Sequence, residues 1–422
     1  MNLVDGKNAD AKMNHPQPYF DIVIGGTGAV GLFLAYSIKK RYPHKTIAVL
    51  DKETHAGLHT SGRNSGVLHA GIYYKPSSLK AQVCVSGSRR LGQWVKERKL
   101  PLNECGKLIL PQSNEVDEQI EILAARGMRN GAEVEIVSKK KINELCPYAR
   151  SATGRGLWSP MTKVTSPKHV INQLVNELEN LGVAFVYEFQ ITGYDSITNC
   201  LSNGDDKQVY FGHFFNCLGL YSDKIAQLFG VGNKYTLVPF KGLYWDIDNN
   251  SGIDIHTNIY PVPDLNMPFL GVHLTPSALK SKPSTVGPTA TIAWGRENYR
   301  GIDQIDPTII ASNLSIIGSQ YINNQGGFRN YVHEQALLFS KGKIAEQAQK
   351  LIPELKSSHL SLSKKVGIRP QLFNNSCNKL EDDFICIAGK DSTHVVNAIS
   401  PAFSASFALS DLIMKESGIR DI

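Results

Sequence analysis

Residues 20–42 read FDIVIGGTGAVGLFLAYSIKKRY, and this stretch decides the fold. Its apolar run Ile22–Ile24 ends in a glycine turn, and the residues beyond it are apolar at helical spacing until Pro43. The segment TIAVLDKE, ending at Glu53, then reads as a second buried strand. Strand, turn, helix and strand within about 30 residues make a βαβ unit, whose parallel strands imply a doubly wound sheet. Gly26-Thr27-Gly28-Ala29-Val30-Gly31 fits G-x-G-x-x-G at the strand-to-helix turn. Gly26 permits the tight turn, Gly28 lets the backbone approach a pyrophosphate, and Gly31 lets helix and strand pack closely. An anion is favoured there by the N–H groups of the helix N-terminus. Asp51 closes the second strand, placed to accept hydrogen bonds from ribose hydroxyls, with Lys52 beside it. In this context the turn predicts dinucleotide binding.

The next notable run, HTSGRNSGVLHAGIYYKPSSLKA (59–81), is rich in Gly and Ser. Such a loop suits the remainder of an extended FAD: Ser61, Arg63, Asn64 and Ser65 supply polar groups for pyrophosphate and ribityl oxygens, and Gly62 and Gly66 allow close approach. Further along, residues 243–293 hold short alternating runs such as FLGVHLT and TATIAWG, expected of an antiparallel sheet. Residues 306–355 lean helical and polar. FICIAGK and NAISPAFSASFALSDLI suggest a strand and helix that rejoin the first domain. The expected class is α/β: a Rossmann-like FAD-binding domain (19–95, 150–235 and 365–422) with a doubly wound parallel sheet, and an α+β substrate domain (96–149 and 236–364) with a mixed or antiparallel sheet. Residues 1–18 read as a disordered extension, neither signal nor transit peptide.

Composition bounds the function. The chain has 422 residues, 42% of them hydrophobic, enough for two or three domains. Its 45 basic and 38 acidic residues leave only +7, scattered apart from the Lys139-Lys140-Lys141 run, which reads as a solvated turn or helix start rather than a nucleic-acid patch. Seven cysteines without a C-x-x-C pair argue against a zinc site or disulfide framework, and no other metal site is expected. A cytoplasmic location fits.

These motifs, together with NCLGLYSDKIA (216–226), IYPVPDLNMPFLGVHLT (259–275), VGPTA (286–290), GIRPQ (367–371) and HVVNAISPA (394–402), resemble the L-2-hydroxyglutarate dehydrogenase/oxidase family within the D-amino-acid-oxidase-like flavoproteins, from about Tyr19 to the C-terminus. The resemblance implies a non-nicotinamide, FAD-dependent oxidation of a small 2-hydroxy acid to the 2-oxo acid, with hydride passing to flavin N5 and the FAD held non-covalently. It implies that the segment containing Gly219 lies beside the nucleotide, and that residues 394–401, with Asn397 and Ala398, close over the isoalloxazine. One departure stands out: Lys241-Gly242-Leu243-Tyr244 occupies the place of the family's usual Arg-Gly-Glu-Tyr.

The chemistry needs a cation for the carboxylate and a base for the hydroxyl proton. Arg369 is the expected anchor, because a guanidinium grips a carboxylate through two parallel bonds. An imidazole suits the base. Of His59, His69, His273 and His394, placement favours His273, with His69 next; Tyr260, Tyr73 and Asn397 are candidates for orienting substrate. The same scaffold serves amine or amino-acid oxidation, and a flavin-binding protein without turnover is a third reading. Expected partners are the substrate and an electron acceptor, oxygen or a quinone, with no nucleic acid. Quinone reduction is compatible with loose attachment to the inner face of a membrane.

Overall fold

The computed structural model describes residues 18–264, 271–324, 327–338 and 340–418. Nearly all of the 1–18 extension, and residues 265–270 of the quoted motifs, lie outside these.

The glycine-turn unit folds as read. Strand Tyr19–Gly25 buries its last four residues, and Gly28 is the N-cap of helix Ala29–Arg41. That helix ends at Tyr42 with Lys39, Lys40 and Arg41 in its last turn, where cations meet the negative end of the helix dipole. Leu32, Phe33, Leu34 and Ala35 are all buried, because the helix is covered on its outer side as well as by the sheet. Phe33 meets Phe407 at 4.6 Å and Trp94 at 5.9 Å, both edge-on, so helices Leu79–Glu97 and Ala402–Glu416 pack over it. The C-terminal helix thereby returns to the first domain, as its small-residue composition suggests.

The first sheet has a five-stranded parallel core in the order Ser392–Asn397, Gln208–Asn216, Tyr19–Gly25, Ile47–Leu50, Ala184–Val186. In a sheet of this kind, ligands bind outside the carboxyl ends of the strands. FICIAGK supplies strand Ile385–Gly389, but this is an antiparallel partner; the parallel strand closing the sheet is its neighbour Ser392–Asn397. The second sheet is mixed. It is built around two long antiparallel strands, Tyr235–Ile247 and Leu360–Asn374, and Asn258–Pro261 runs parallel to Lys107–Leu110. Helices Pro307–Asn323, Phe328–Leu337 and Lys341–Gln349 fill the polar helical segment. Two domain boundaries differ from expectation. Strand Arg155–Ser159 pairs with Lys107–Leu110 in the second sheet, and residue 365 falls inside one continuous strand. The long strands join the domains by burying Leu237, Ile368 and Leu372 with Leu220, Ala226 and Val396.

Among the described residues, no helix is long and apolar enough to cross a membrane.

Candidate active site

A cleft of about 510 Å³ runs from the glycine turn, past loop 57–69, to the face of the second sheet. Gly26 adopts φ +103°, and a Cβ there would lie 2.6 Å from the Cys217 carbonyl oxygen; at Gly31 it would lie 2.1 Å from that of Gly26. These two glycines serve the fold, and only Gly26 lines the cleft. Gly28 is different, since a Cβ there meets only the Ser61 side chain, Oγ at 3.0 Å and Cβ at 3.9 Å, and Gly28 lines the cleft. Ser61 Oγ accepts from Ala29 N at 2.8 Å. Gly28 provides no side-chain cap, and the first turn of the helix holds no acid. Helix Ala402–Glu416 is capped by Pro401, again with no side-chain bond and no acid in its first turn, and Pro401 to Ser404 line the same cleft. Two long helices therefore aim their positive ends into one cavity. That arrangement fits FAD, with its pyrophosphate at one end and polar flavin edge at the other.

The polar loop residues fix the cleft wall as much as they face it. Asp51 Oδ2 accepts from Thr27 N at 2.8 Å and from Thr27 Oγ1, while Oδ1 accepts from Glu53 N at 3.1 Å. The carboxylate thus braces the glycine turn, and its remaining lone pairs can still accept from a ribose. Arg63 Nε donates to Leu58 O at 2.6 Å, and its guanidinium lies 4.0 Å from the Tyr299 ring centroid. Asn64 Nδ2 donates to Ser61 O at 2.7 Å and Oδ1 accepts from Gly66 N at 2.8 Å. Ser65 Oγ accepts from Val67 N at 3.4 Å. Lys52 pairs with Glu297 at 2.8 Å and with Glu53. Together with Ala29, Val30, Gly219 and Ala398, these residues line the cleft.

Besides Gly31, three expected cofactor positions do not. Thr27 is fully buried, with its hydroxyl on Asp51. Gly66 (φ +77°) would place a Cβ 2.0 Å from Thr165 O, so it serves the packing of its loop. Asn397 is buried, with Nδ2 donating to Asp383 O at 2.6 Å; as the last residue of a central strand it points into the core, and Ala398 and Ile399 face the cleft instead.

The four histidines separate clearly. His394 is buried and fully engaged: Asn216 Nδ2 donates to its Nδ1, leaving Nε2–H for Ser392 Oγ, both at 3.1 Å. No lone pair remains for a base. His59 lies at the nucleotide end, held by Glu53 at 2.9 Å and by the Tyr299 hydroxyl at 3.0 Å. His69 lines the end of the cleft beside Ser400, with Nε2 3.5 Å from Ser400 Oγ, and burial holds its pKa well below the usual value. His273 also lines that end, stacked on Tyr260 with ring centroids 3.9 Å apart. Its Nδ1–H donates to Gly271 O at 2.8 Å, which fixes the tautomer and leaves the Nε2 lone pair as acceptor. Burial, with smaller contributions from Lys107 and Lys365, lowers its pKa to about 4.

Arg369 lines the cleft on the same sheet face as Phe240, its direct cross-strand neighbour. Tyr73 packs in the core instead, beside Lys107. Leu243, the position of the family's glutamate, packs against the core cluster of Trp245 and Leu274, while Gly242 and Tyr244 face the cleft. That departure lies outside the cavity. Sequence reading missed Tyr244, Thr289, the Phe189–Ile191 wall and the helix start Ala402–Ser404. Only the last had a signal, in the Ser-Pro step before a helical run.

The family model described as FAD dependent oxidoreductase matches residues 21–414. Human L-2-hydroxyglutarate dehydrogenase, mitochondrial, is 33% identical over 420 residues, spanning 94% of this chain and 88% of that protein. The L-2-hydroxyglutarate dehydrogenase of Escherichia coli is 30% identical over 395 residues, spanning 92% and 91%. Among solved structures, the FAD-bound L-alpha-glycerophosphate oxidase of Mycoplasma pneumoniae superposes with a TM-score of 0.74 at 19% identity, covering 96% of each chain. Glycine oxidase of Geobacillus kaustophilus gives 0.68 at 15% identity, covering 95% and 94%.

Proposed function

The chain belongs to the FAD-dependent oxidoreductase family, and from that premise we propose that it oxidises L-2-hydroxyglutarate, or a close 2-hydroxy acid, to the 2-oxo acid. One observation carries the reading. A single cleft joins the dinucleotide turn to a guanidinium, Arg369, and to an imidazole, His273, whose outward nitrogen is an acceptor. The names of the full-length relatives supply the substrate class.

In this proposal Gly26, Gly28, the first turn of helix Ala29–Arg41, Asp51, Ser61 and Arg63 hold the nucleotide half of FAD, non-covalently. Ala398 and the helix start at Ala402 would hold its ring end. Bound FAD supplies the two-electron acceptor. Arg369 grips the substrate's C1 carboxylate and so orients C2. His273 Nε2 takes the hydroxyl proton as the C2–H bond breaks with its electron pair, leaving the C2–O bond as a carbonyl. With a pKa of about 4, the imidazole is neutral at physiological pH. Tyr260 holds its plane by stacking. The final electron acceptor is oxygen or a quinone, and the setting is cytoplasmic, a placement supported by seven unpaired cysteines.

Anaerobic screening of hydroxy and amino acids, read by flavin bleaching at about 450 nm, tests the reading. L-2-hydroxyglutarate should bleach the flavin. Arg369→Ala should need roughly 30-fold more substrate, with Arg369→Lys intermediate because it keeps the charge but loses the planar fork. Bleaching by amino acids alone would transfer the site to C–N oxidation. A yellow protein that no substrate reduces would be a flavin carrier without turnover.

A further inference from the structure

A second cavity, of about 420 Å³, lies between helix Leu79–Glu97 and the segment around Met161, and His69 lines it as well as the main cleft. At that point the partition between the two is a single residue thick, and Ser400, 3.5 Å from His69 Nε2, is on the main-cleft side. The volume falls within the range of about 300 to 1,000 Å³ typical of small-molecule sites. The walls say what it would hold. Ala70, Val85, Gly92, Pro160 and Met161 make them largely apolar. Glu133 N donates to Met161 Sδ at 3.2 Å, which fixes a polarisable thioether of the kind that packs well on a flat ring. The charges lie at the exposed rim and are matched there: Arg89 with Glu133 at 3.5 Å, Lys96 with Glu104 at 3.5 Å, and Lys163 also with Glu104. Two carboxylates thus take up most of the charge of three cations, so a hydroxy-acid anion gains little by entering. Ser88, on the same helix, adds a hydroxyl that can donate to a carbonyl oxygen.

We propose that this cavity is a second binding site, for the ring of an uncharged quinone, so that oxidant and hydroxy acid are bound at separate places and at the same time. The inference rests on the redox reading above and adds a site to it. Over one turnover the hydroxy acid gives up its C2 hydride and its hydroxyl proton, and the quinone, taking two electrons and two protons, leaves as the quinol with FAD back in its oxidised form. Dissolved oxygen needs no such seat.

Gly92 is the place to close the cavity. A Cβ there would stand 3.7 Å from Leu68 Cδ1 and 3.7 Å from Lys163 Cδ, both ordinary contacts, so Gly92→Ala should fold, and Gly92→Leu should carry a larger side chain into the space. Helix propensity favours either residue over glycine. The probe is duroquinone. Equilibrium dialysis of the FAD-loaded protein should show it bound by the wild type with or without enough glutarate to perturb the flavin absorbance, and weakened roughly 10-fold or more in Gly92→Leu, the effect of filling a site. After anaerobic photoreduction, which bypasses the hydroxy acid, reoxidation by duroquinone below saturation should slow by a similar factor, while reoxidation by oxygen changes by less than about twofold. Ser88→Leu closes the same cavity from one helical turn earlier and should repeat the pattern if Gly92→Leu does not fold. The glutarate comparison needs no variant. Wild-type duroquinone binding in either folded variant, displacement of duroquinone by glutarate, or equal slowing with oxygen overturns the second site. Neither dialysis nor photoreduction involves turnover of a hydroxy acid, so a failure of L-2-hydroxyglutarate to bleach the flavin would sink the reaction assignment and leave this test standing.

Discussion

Gly28 and Gly31 belong to the same motif, yet the geometry assigns them opposite tasks, and alanine at each should fail in a different way. At Gly31 the new methyl would sit 2.1 Å from the Gly26 carbonyl oxygen, against an ordinary contact of at least 3.4 Å. Helix and turn must separate by more than 1 Å, and because the neighbour is backbone, the cost falls toward the upper end of overpacking, about 3 kcal/mol. At Gly28 the methyl meets the tip of a rotatable serine at 3.0 Å, so the fold should lose only about 1 kcal/mol or less, the N-cap preference of glycine over alanine. The same methyl stands on a residue that lines the cleft, where the pyrophosphate must approach. An obstruction of about 1 to 3 kcal/mol weakens FAD by roughly 5- to 150-fold. Thermal unfolding of the apoproteins and FAD titration of each variant separate the two effects. The expected pattern is an apoprotein of near-normal stability with weak FAD for Gly28→Ala, and a clearly destabilised apoprotein for Gly31→Ala. Should Gly28→Ala bind FAD as the wild type does, or unfold as early as Gly31→Ala, Gly28 is a packing residue and the cofactor path drawn here is wrong.

His273→Gln should slow anaerobic flavin reduction by about 100-fold or more while leaving FAD content unchanged; if the same change at His69 has the larger effect, the base assignment moves there. Reduction requires a neutral imidazole, which exists above its pKa, so the wild-type rate should hold as pH falls to about 5 and decline only near 4, where burial has placed His273. An acid limb centred near the ordinary histidine value of about 6.5 would contradict this. Arg296 and Asp223 form a buried two-bond ion pair at 2.6 and 2.8 Å that ties the 296–299 segment to the first domain. Arg296→Met strands the Asp223 carboxylate and should cost about 3 to 5 kcal/mol, read as a lowered unfolding midpoint; an unchanged midpoint would show that water reaches Asp223.

The βαβ unit was legible in the sequence because everything that specifies it is local. An apolar run, three glycines at fixed offsets and a helical repeat fall within about 30 residues, and each backbone demand is met by its own residue type. The blocks around Gly367 and His394 likewise marked the segments that reach the cleft. Local pattern could not show which way a side chain points once its neighbours are strands from far along the chain. Asn397 and His394 have the composition of site residues, but the central strand turns them into the core, where Asp383 O, Asn216 and Ser392 take their hydrogen bonds. Leu243 looked like a change in the site until cross-strand pairing put Gly242 and Tyr244 on the cleft face and Leu243 in the core. The boundary near residue 150 failed for a related reason: Arg155–Ser159 is a short strand whose membership is set by its pairing with Lys107–Leu110, a long-range hydrogen-bond ladder with no signature in its own five residues. Sequence alone determined the nucleotide turn and the class of chemistry; tertiary structure decided which histidine keeps a lone pair for a proton, because the group that occupies Nδ1 of His394 is Asn216, brought beside it only by strand pairing from far along the chain.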